Sequence, residues 1–133
     1  MSLDNVAPVV ALVTKDEALV ELLRGAVRRA NAEVAWLRDP VRGLRTMDLR
    51  RVVALVLDSE MHSGCVLQCA GYSKARNPKL KIVVLVSWWD ERQGEYTRAA
   101  DAFLHVPLRL EEVEPFLAGI LAPRTAREKV PVG

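Results

Sequence analysis

Three stretches of this chain are apolar without polar alternation: Val9-Val10-Ala11-Leu12-Val13, Val52-Val53-Ala54-Leu55-Val56-Leu57 and Ile82-Val83-Val84-Leu85-Val86. A strand with one face in water alternates apolar and polar residues, whereas a strand covered on both faces does not. Such runs therefore predict buried strands of a parallel sheet, and that constrains the rest of the chain. Parallel neighbours need crossover connections, usually helices. The intervening segments supply them. Between residues 17 and 30, Leu19, Val20, Leu22, Leu23, Ala26, Val27 and Ala30 recur at helical spacing. Asp39-Pro40 is a cap residue followed by proline at the first helical position, which opens a short helix through Met47. Further helices are expected from about Gly64 to Arg76, from about Asp90 to Ala99 as a weak polar helix, and from Leu110 to Leu121. Val34-Ala35-Trp36-Leu37 and Ala102 to Val106 read as the remaining strands.

Five strands alternating with five helices predict an α/β domain: a five-stranded, doubly wound parallel sheet with helices on both faces. Right-handed crossovers fix most of the topology, but strand order is not readable from the pattern. The domain is expected over residues 4–121, with 122–133 a polar, proline-containing tail or the stump of a linker. The longest apolar runs are too short to cross a membrane. With no leader segment in view, the expected location is cytoplasmic. A formal charge of +2 is too small to argue for nucleic acid. Arginines crowd at Arg24, Arg28 and Arg29 and again at Arg38, Arg42, Arg45, Arg50 and Arg51, as a solvated helical face or as a surface for an acidic partner.

The apolar run from Val52 ends on a carboxylate, Asp58. In open α/β sheets ligands and chemistry gather at the carboxyl ends of strands. Asp58 is therefore a candidate phosphate acceptor or metal ligand, or simply an acid left at a strand end. Three strand ends are expected to converge there, bringing Thr14-Lys15-Asp16, Asp58 and Ser87-Trp88 to one pocket, with His105-Val106-Pro107 nearby.

In the order and spacing of these elements, from about Ala7 to Leu121, the chain resembles the receiver domain of two-component response regulators. The resemblance implies a signalling module rather than an enzyme. It makes Asp58 the phosphoacceptor position, Ser87 the switch hydroxyl and Phe103 the aromatic switch position. It also exposes departures. Receivers carry an acidic pair after the first strand, and here those positions hold Thr14 and Lys15. The lysine that precedes the proline after the fifth strand is replaced by Val106, and Trp88 stands where a small residue normally follows the hydroxyl.

Phosphoryl transfer to a carboxylate needs cations to neutralise the phosphate oxygens and hold them in line. With Thr14, Lys15 and Val106 at these positions, the expected reading is an atypical receiver that acts by phosphorylation-independent protein contact, without a cofactor. Mg²⁺ would enter only if Asp16 and Asp58 formed a rearranged site, which is the alternative of a working phosphoacceptor served by a histidine kinase. A small-molecule sensor using the emptied pocket is a further alternative. Lys15 is a candidate internal lock, its ammonium paired with Asp58 in place of a metal. The competing reading of Thr14-Lys15-Asp16-Glu17 is a capping box with Thr14 as the cap and Glu17 reaching back. Trp88 and Trp89 are either partner anchors or a plug for the pocket. The expected partner is a protein (an effector, a kinase or a second copy), engaged through residues 90–121, with Glu91, Arg92, Glu95 and Arg98 supplying charge.

Other chemistries lack support. Cys65 and Cys69 fall on one face of a helix. They are either small buried residues or, with His62, a metal pair, but zinc asks for about four ligands and no second pair exists. The first strand is not followed by a glycine-rich turn, so nucleotide binding on the Rossmann or P-loop plan is unsupported.

Overall fold

The computed structural model describes residues 7–61, 63–87 and 93–121. The elements run β1 (Val9–Val13), α1 (Glu17–Arg29), β2 (Glu33–Trp36), α2 (Pro40–Thr46), a 3₁₀ turn (Leu49–Arg51), β3 (Val52–Asp58), α3 (Ser63–Arg76), β4 (Lys81–Ser87), α4 (Gln93–Tyr96), β5 (Ala102–Val106) and α5 (Leu110–Leu121). All five strands are parallel, in the order β2-β1-β3-β4-β5. This is the doubly wound sheet that the alternation predicts, in the flavodoxin-like form that the receiver resemblance implies.

Burial follows the strand order. The three unbroken apolar runs are the three inner strands, and their residues divide by parity between two cores. Val10, Leu12, Ala54, Val56, Val83 and Leu85 face one way, against Leu19, Val20, Leu23 and Val27 of α1 and Val113 and Leu117 of α5. Ala11, Val13, Leu55, Leu57, Val84 and Val86 face the other, against Leu44 of α2, Val66, Cys69 and Ala70 of α3, and Tyr96 of α4. The edge strands β2 and β5 are largely half-buried and carry polar or amphipathic residues such as Glu33, Trp36 and His105, whereas the inner strands confine theirs to their ends, at Asp58, Lys81 and Ser87.

Local signals explain the ends. Helix α1 stops in a Schellman closure: Ala32 N–H bonds Val27 carbonyl at 3.1 Å and Asn31 N–H bonds Arg28 carbonyl at 3.0 Å. Asn31 takes the left-handed conformation (φ 62°) that this closure demands and that asparagine tolerates. After α3, the buried Asn77 ties two distant turns together. Its Nδ2 donates to the carbonyls of Leu49 (2.9 Å) and Val52 (3.2 Å), and its Oδ1 accepts from Lys79 N–H at 3.2 Å. Gly43 lets α2 lie close to β2, since a Cβ there would meet Leu37 Cδ2 at 2.8 Å.

Several boundaries differ from expectation. Helix α4 is one turn, Gln93–Tyr96, not a helix over 90–99. Residues 90–92 of that span lie outside the described residues, and beyond Tyr96 the exposed Thr97 and Arg98 give no apolar face to hold a second turn. The 3₁₀ turn, capped by Asp48, was unforeseen because three residues are too few to show a period. Strand β2 begins one residue earlier than the apolar pattern suggests, at Glu33. The expected tail at 122–133 lies outside the described residues, as do residues 4–6 of the expected domain.

Candidate functional site

The strand order places the site. β1 runs on to β2 on one side, and the chain then returns to add β3 on the other, so the direction of winding reverses between β1 and β3. At such a switch point the crevice at the strand ends stays open, because the flanking connections leave on opposite faces. Thr14 and Asp58 stand at this point, one residue past the last registered pair, Val13 with Leu57.

Both are buried, Thr14 at 2% and Asp58 at 6% exposure, and they bond each other. Thr14 Oγ1 donates to Asp58 Oδ2 at 2.5 Å, the short range of a hydroxyl bonded to a carboxylate. The other carboxylate oxygen, Oδ1, accepts the backbone N–H of Glu60 at 3.0 Å. Each oxygen of Asp58 is therefore engaged from within the chain. Thr14 is itself held on both sides: its Oγ1 accepts Asp16 N–H at 3.1 Å, and its carbonyl accepts Trp36 Nε1–H at 2.9 Å. Arg38 covers that indole, 4.3 Å from the ring centroid.

This arrangement corrects the capping-box reading. The N-cap of α1 is Asp16, whose Oδ1 accepts Ala18 N–H at 3.0 Å and Leu19 N–H at 3.3 Å. Thr14 does not cap; its hydroxyl turns into the sheet end. The lysine lock is corrected as well. Lys15 is exposed, and among the described residues no ion pair joins it to Asp58. A threonine hydroxyl makes the contact expected of the ammonium. Sequence reasoning also missed Glu60, whose amide holds Asp58 and whose side chain helps line the cavity above it.

That cavity, about 280 Å³ and open to solvent, is lined among the described residues by Lys15, Asp16, Asp58, Glu60 and Met61. Magnesium needs several oxygen ligands in near-octahedral array. Here one oxygen of Asp16 is spent on two helix amides and Asp58 is bonded at both oxygens, while a lysine lines the same space. Among the described residues no cluster of three or more histidine, cysteine, aspartate or glutamate side chains could hold a metal. The donor set does not fit Mg²⁺, and no step through it follows.

The other predicted positions fall on the neighbouring strands β4 and β5. Ser87 is buried at the end of β4 and pairs in register with Val106, two residues beyond the pair of Asp58 with Leu85. Val106 is half-buried and packs on the α1–α5 side, followed by Pro107 through a cis peptide bond. Phe103 pairs with Val84 and packs on the α2–α3 side as a core residue. Neither Ser87 nor Val106 lines the cavity. Trp88, Trp89, Glu91, Arg92 and His62 lie outside the described residues.

No protein-family model matches the sequence, and no curated protein matches it. Solved structures match at the level of the fold. A response regulator from Thermotoga maritima is 16% identical, with 88% of this chain and 99% of that one covered at a TM-score of 0.72. A response regulator receiver domain protein from Clostridium thermocellum is 12% identical, covering 90% and 98% at 0.73. A streptococcal protein, described as one of a novel family of redox sensors evolved from two-component response regulators, is 17% identical and covers 96% of this chain and 57% of its own at 0.73. The chain thus has the fold of the response regulator receiver domains, with an aspartate at the end of β3 held by a threonine hydroxyl.

Proposed function

We propose that this chain is a receiver-fold signalling domain of the two-component type that works by protein–protein contact, independently of phosphorylation and without enzymatic activity of its own. The observation that carries the reading is the bond from Thr14 to Asp58. A carboxylate acting as nucleophile must present a lone pair to phosphorus while cations neutralise the phosphoryl oxygens. Asp58 instead spends one oxygen on a buried hydroxyl and the other on a backbone amide. The position from which a lysine would steady the phosphoryl group holds the apolar Val106. The streptococcal redox sensors, evolved from response regulators, support the idea that this fold carries signals other than the standard relay.

The proposed contact surface is the α4–β5–α5 side, within residues 90–121, for an effector, a kinase or a second copy. Leu110 is 42% exposed at the start of α5, beside the exposed acids Glu111 and Glu112, and the exposed Glu95 and Arg98 lie in and just after α4. Trp88 and Trp89 belong to this proposal as candidate anchors.

The test is to incubate the protein with Mg²⁺ and acetyl phosphate and weigh it intact. The reading expects no phosphoryl adduct. An adduct that disappears in Asp58→Asn would instead establish a working phosphoacceptor.

A further inference from the structure

Cys65 and Cys69 sit one turn apart on the inner side of α3, with their sulfurs 3.9 Å apart. Both are free thiols; Cys69 is buried and Cys65 half-buried. They open on a cavity of about 170 Å³ between α2 and α3, separate in its lining residues from the space above Asp58. Its apolar walls are Val41, Leu44 and the ring of Tyr72, and its polar groups are Arg45 and Gln68.

From this juxtaposition we infer that the thiol pair is a two-coordinate site for a soft, thiophilic d¹⁰ cation of the copper(I) class. Three observations select that ligand. Among the described residues the donors are the two sulfurs, with no third histidine, cysteine or carboxylate close enough to join them. Zinc wants four protein ligands and hard cations want oxygen, whereas thiolates favour copper(I). The cavity walls are mostly apolar, which suits a soft cation better than a strongly hydrated one. Two thiolates around a monovalent cation carry one net negative charge, and the guanidinium of Arg45 lines the same cavity to balance it.

The spacing fits with a small adjustment. A linear bridge with bonds of about 2.3 Å, the length of a zinc–thiolate bond, needs sulfurs roughly 4.6 Å apart. The pair must open by less than an ångström from 3.9 Å, and the half-exposed Cys65 is free to swing. A binding cation displaces the thiol protons to solvent as the metal–sulfur bonds form.

The site stands independently of the proposed function. Its test is a titration of the reduced protein with copper(I), without oxygen, against the coloured chelator bathocuproine disulfonate. One copper(I) per chain should be withheld from the chelator. Cys65→Ser and Cys69→Ala should each weaken retention by roughly 100-fold or more, the usual loss when a chelate becomes a single contact. Circular dichroism checks that each variant is folded. X-ray absorption of the loaded protein should show sulfur neighbours alone. Retention by either single variant equal to the wild type, no retention by the wild type, or a nitrogen or oxygen shell on the metal would each overturn the inference.

Discussion

Replacing Thr14 with valine keeps the shape of the side chain and removes only its hydroxyl. Thr14 is 2% and Asp58 6% exposed, so water from the cavity above replaces the vacated bond to Asp58 Oδ2 only poorly. A hydrogen bond to a charged group contributes about 1.5–3 kcal/mol, and leaving a buried carboxylate oxygen unsatisfied has a similar cost. The second bond lost, from Asp16 N–H, lies nearer solvent and adds little. We therefore expect Thr14→Val to destabilise the domain by about 2–3 kcal/mol. For 133 residues, an unfolding entropy near 2.1 cal/mol/K per residue gives roughly 0.28 kcal/mol/K, so the melting temperature should fall by about 7–11 °C. Thr14→Ser keeps the hydroxyl and should recover most of the loss. The pair is isolated by a double-mutant cycle with Asp58→Ala, read by urea unfolding, which should return a coupling of about 1.5–3 kcal/mol. A melting temperature within a degree or two of wild type, or additive variants, would refute the reasoning: the hydroxyl would then not hold Asp58.

The remaining predictions concern neighbouring features. Lys15→Ala should change stability by no more than about 0.5 kcal/mol, since Lys15 is exposed and unpaired with Asp58; a larger loss by thermal melting would reinstate the ion-pair lock. Asn77→Ala strips the hydrogen bonds to Leu49 and Val52 and should cost about 2–3 kcal/mol, seen as a lower urea midpoint with an unchanged slope. Asp101 gives a pH signature. Partial burial pulls its carboxyl upward, but the hydrogen bonds from Ile82 N–H and Lys74 outweigh that and hold it below the usual range. A depressed carboxyl stabilises the fold above its unfolded value near 3.9 and stops doing so as pH falls through the folded value. Asp101→Asn should therefore trail the wild type by at most about 1 kcal/mol at neutral pH, the pair being partly exposed, and the gap should close below about pH 4. A gap that persists into acid would mean that the charge is not the cause.

The inner strands were legible because burial on both faces leaves an unbroken apolar run, as in Val52 to Leu57. Their order was not, since β1, β3 and β4 share one composition and nothing local distinguishes neighbours. That gap hid the site. Val13 pairs with Leu57, so Thr14 and Asp58 meet only once β1 and β3 are known to be adjacent. The capping box led by Thr14 is a purely local reading, and a contact 44 residues away turns that hydroxyl to Asp58 instead. The position of Asp58 was readable, because a carboxylate ending an apolar run needs a strand end to reach polar company. Glu60 was not, because it serves Asp58 through its backbone amide, which every residue possesses. The thiol pair was visible as a spacing, but the cavity it opens on depends on how α2 packs against α3.

Thr14 and Glu60 already engage both oxygens of Asp58 from within the chain. Amide NMR spectra test this engagement most directly, recorded with Mg²⁺ alone and then with Mg²⁺ and beryllofluoride as a phosphoryl mimic. The amides of Thr14, Asp16, Asp58 and Glu60 should stay where they are at every concentration. Saturable shifts at these four, spreading to Ser87 and Phe103, would show a metal-dependent phosphoacceptor and contradict it.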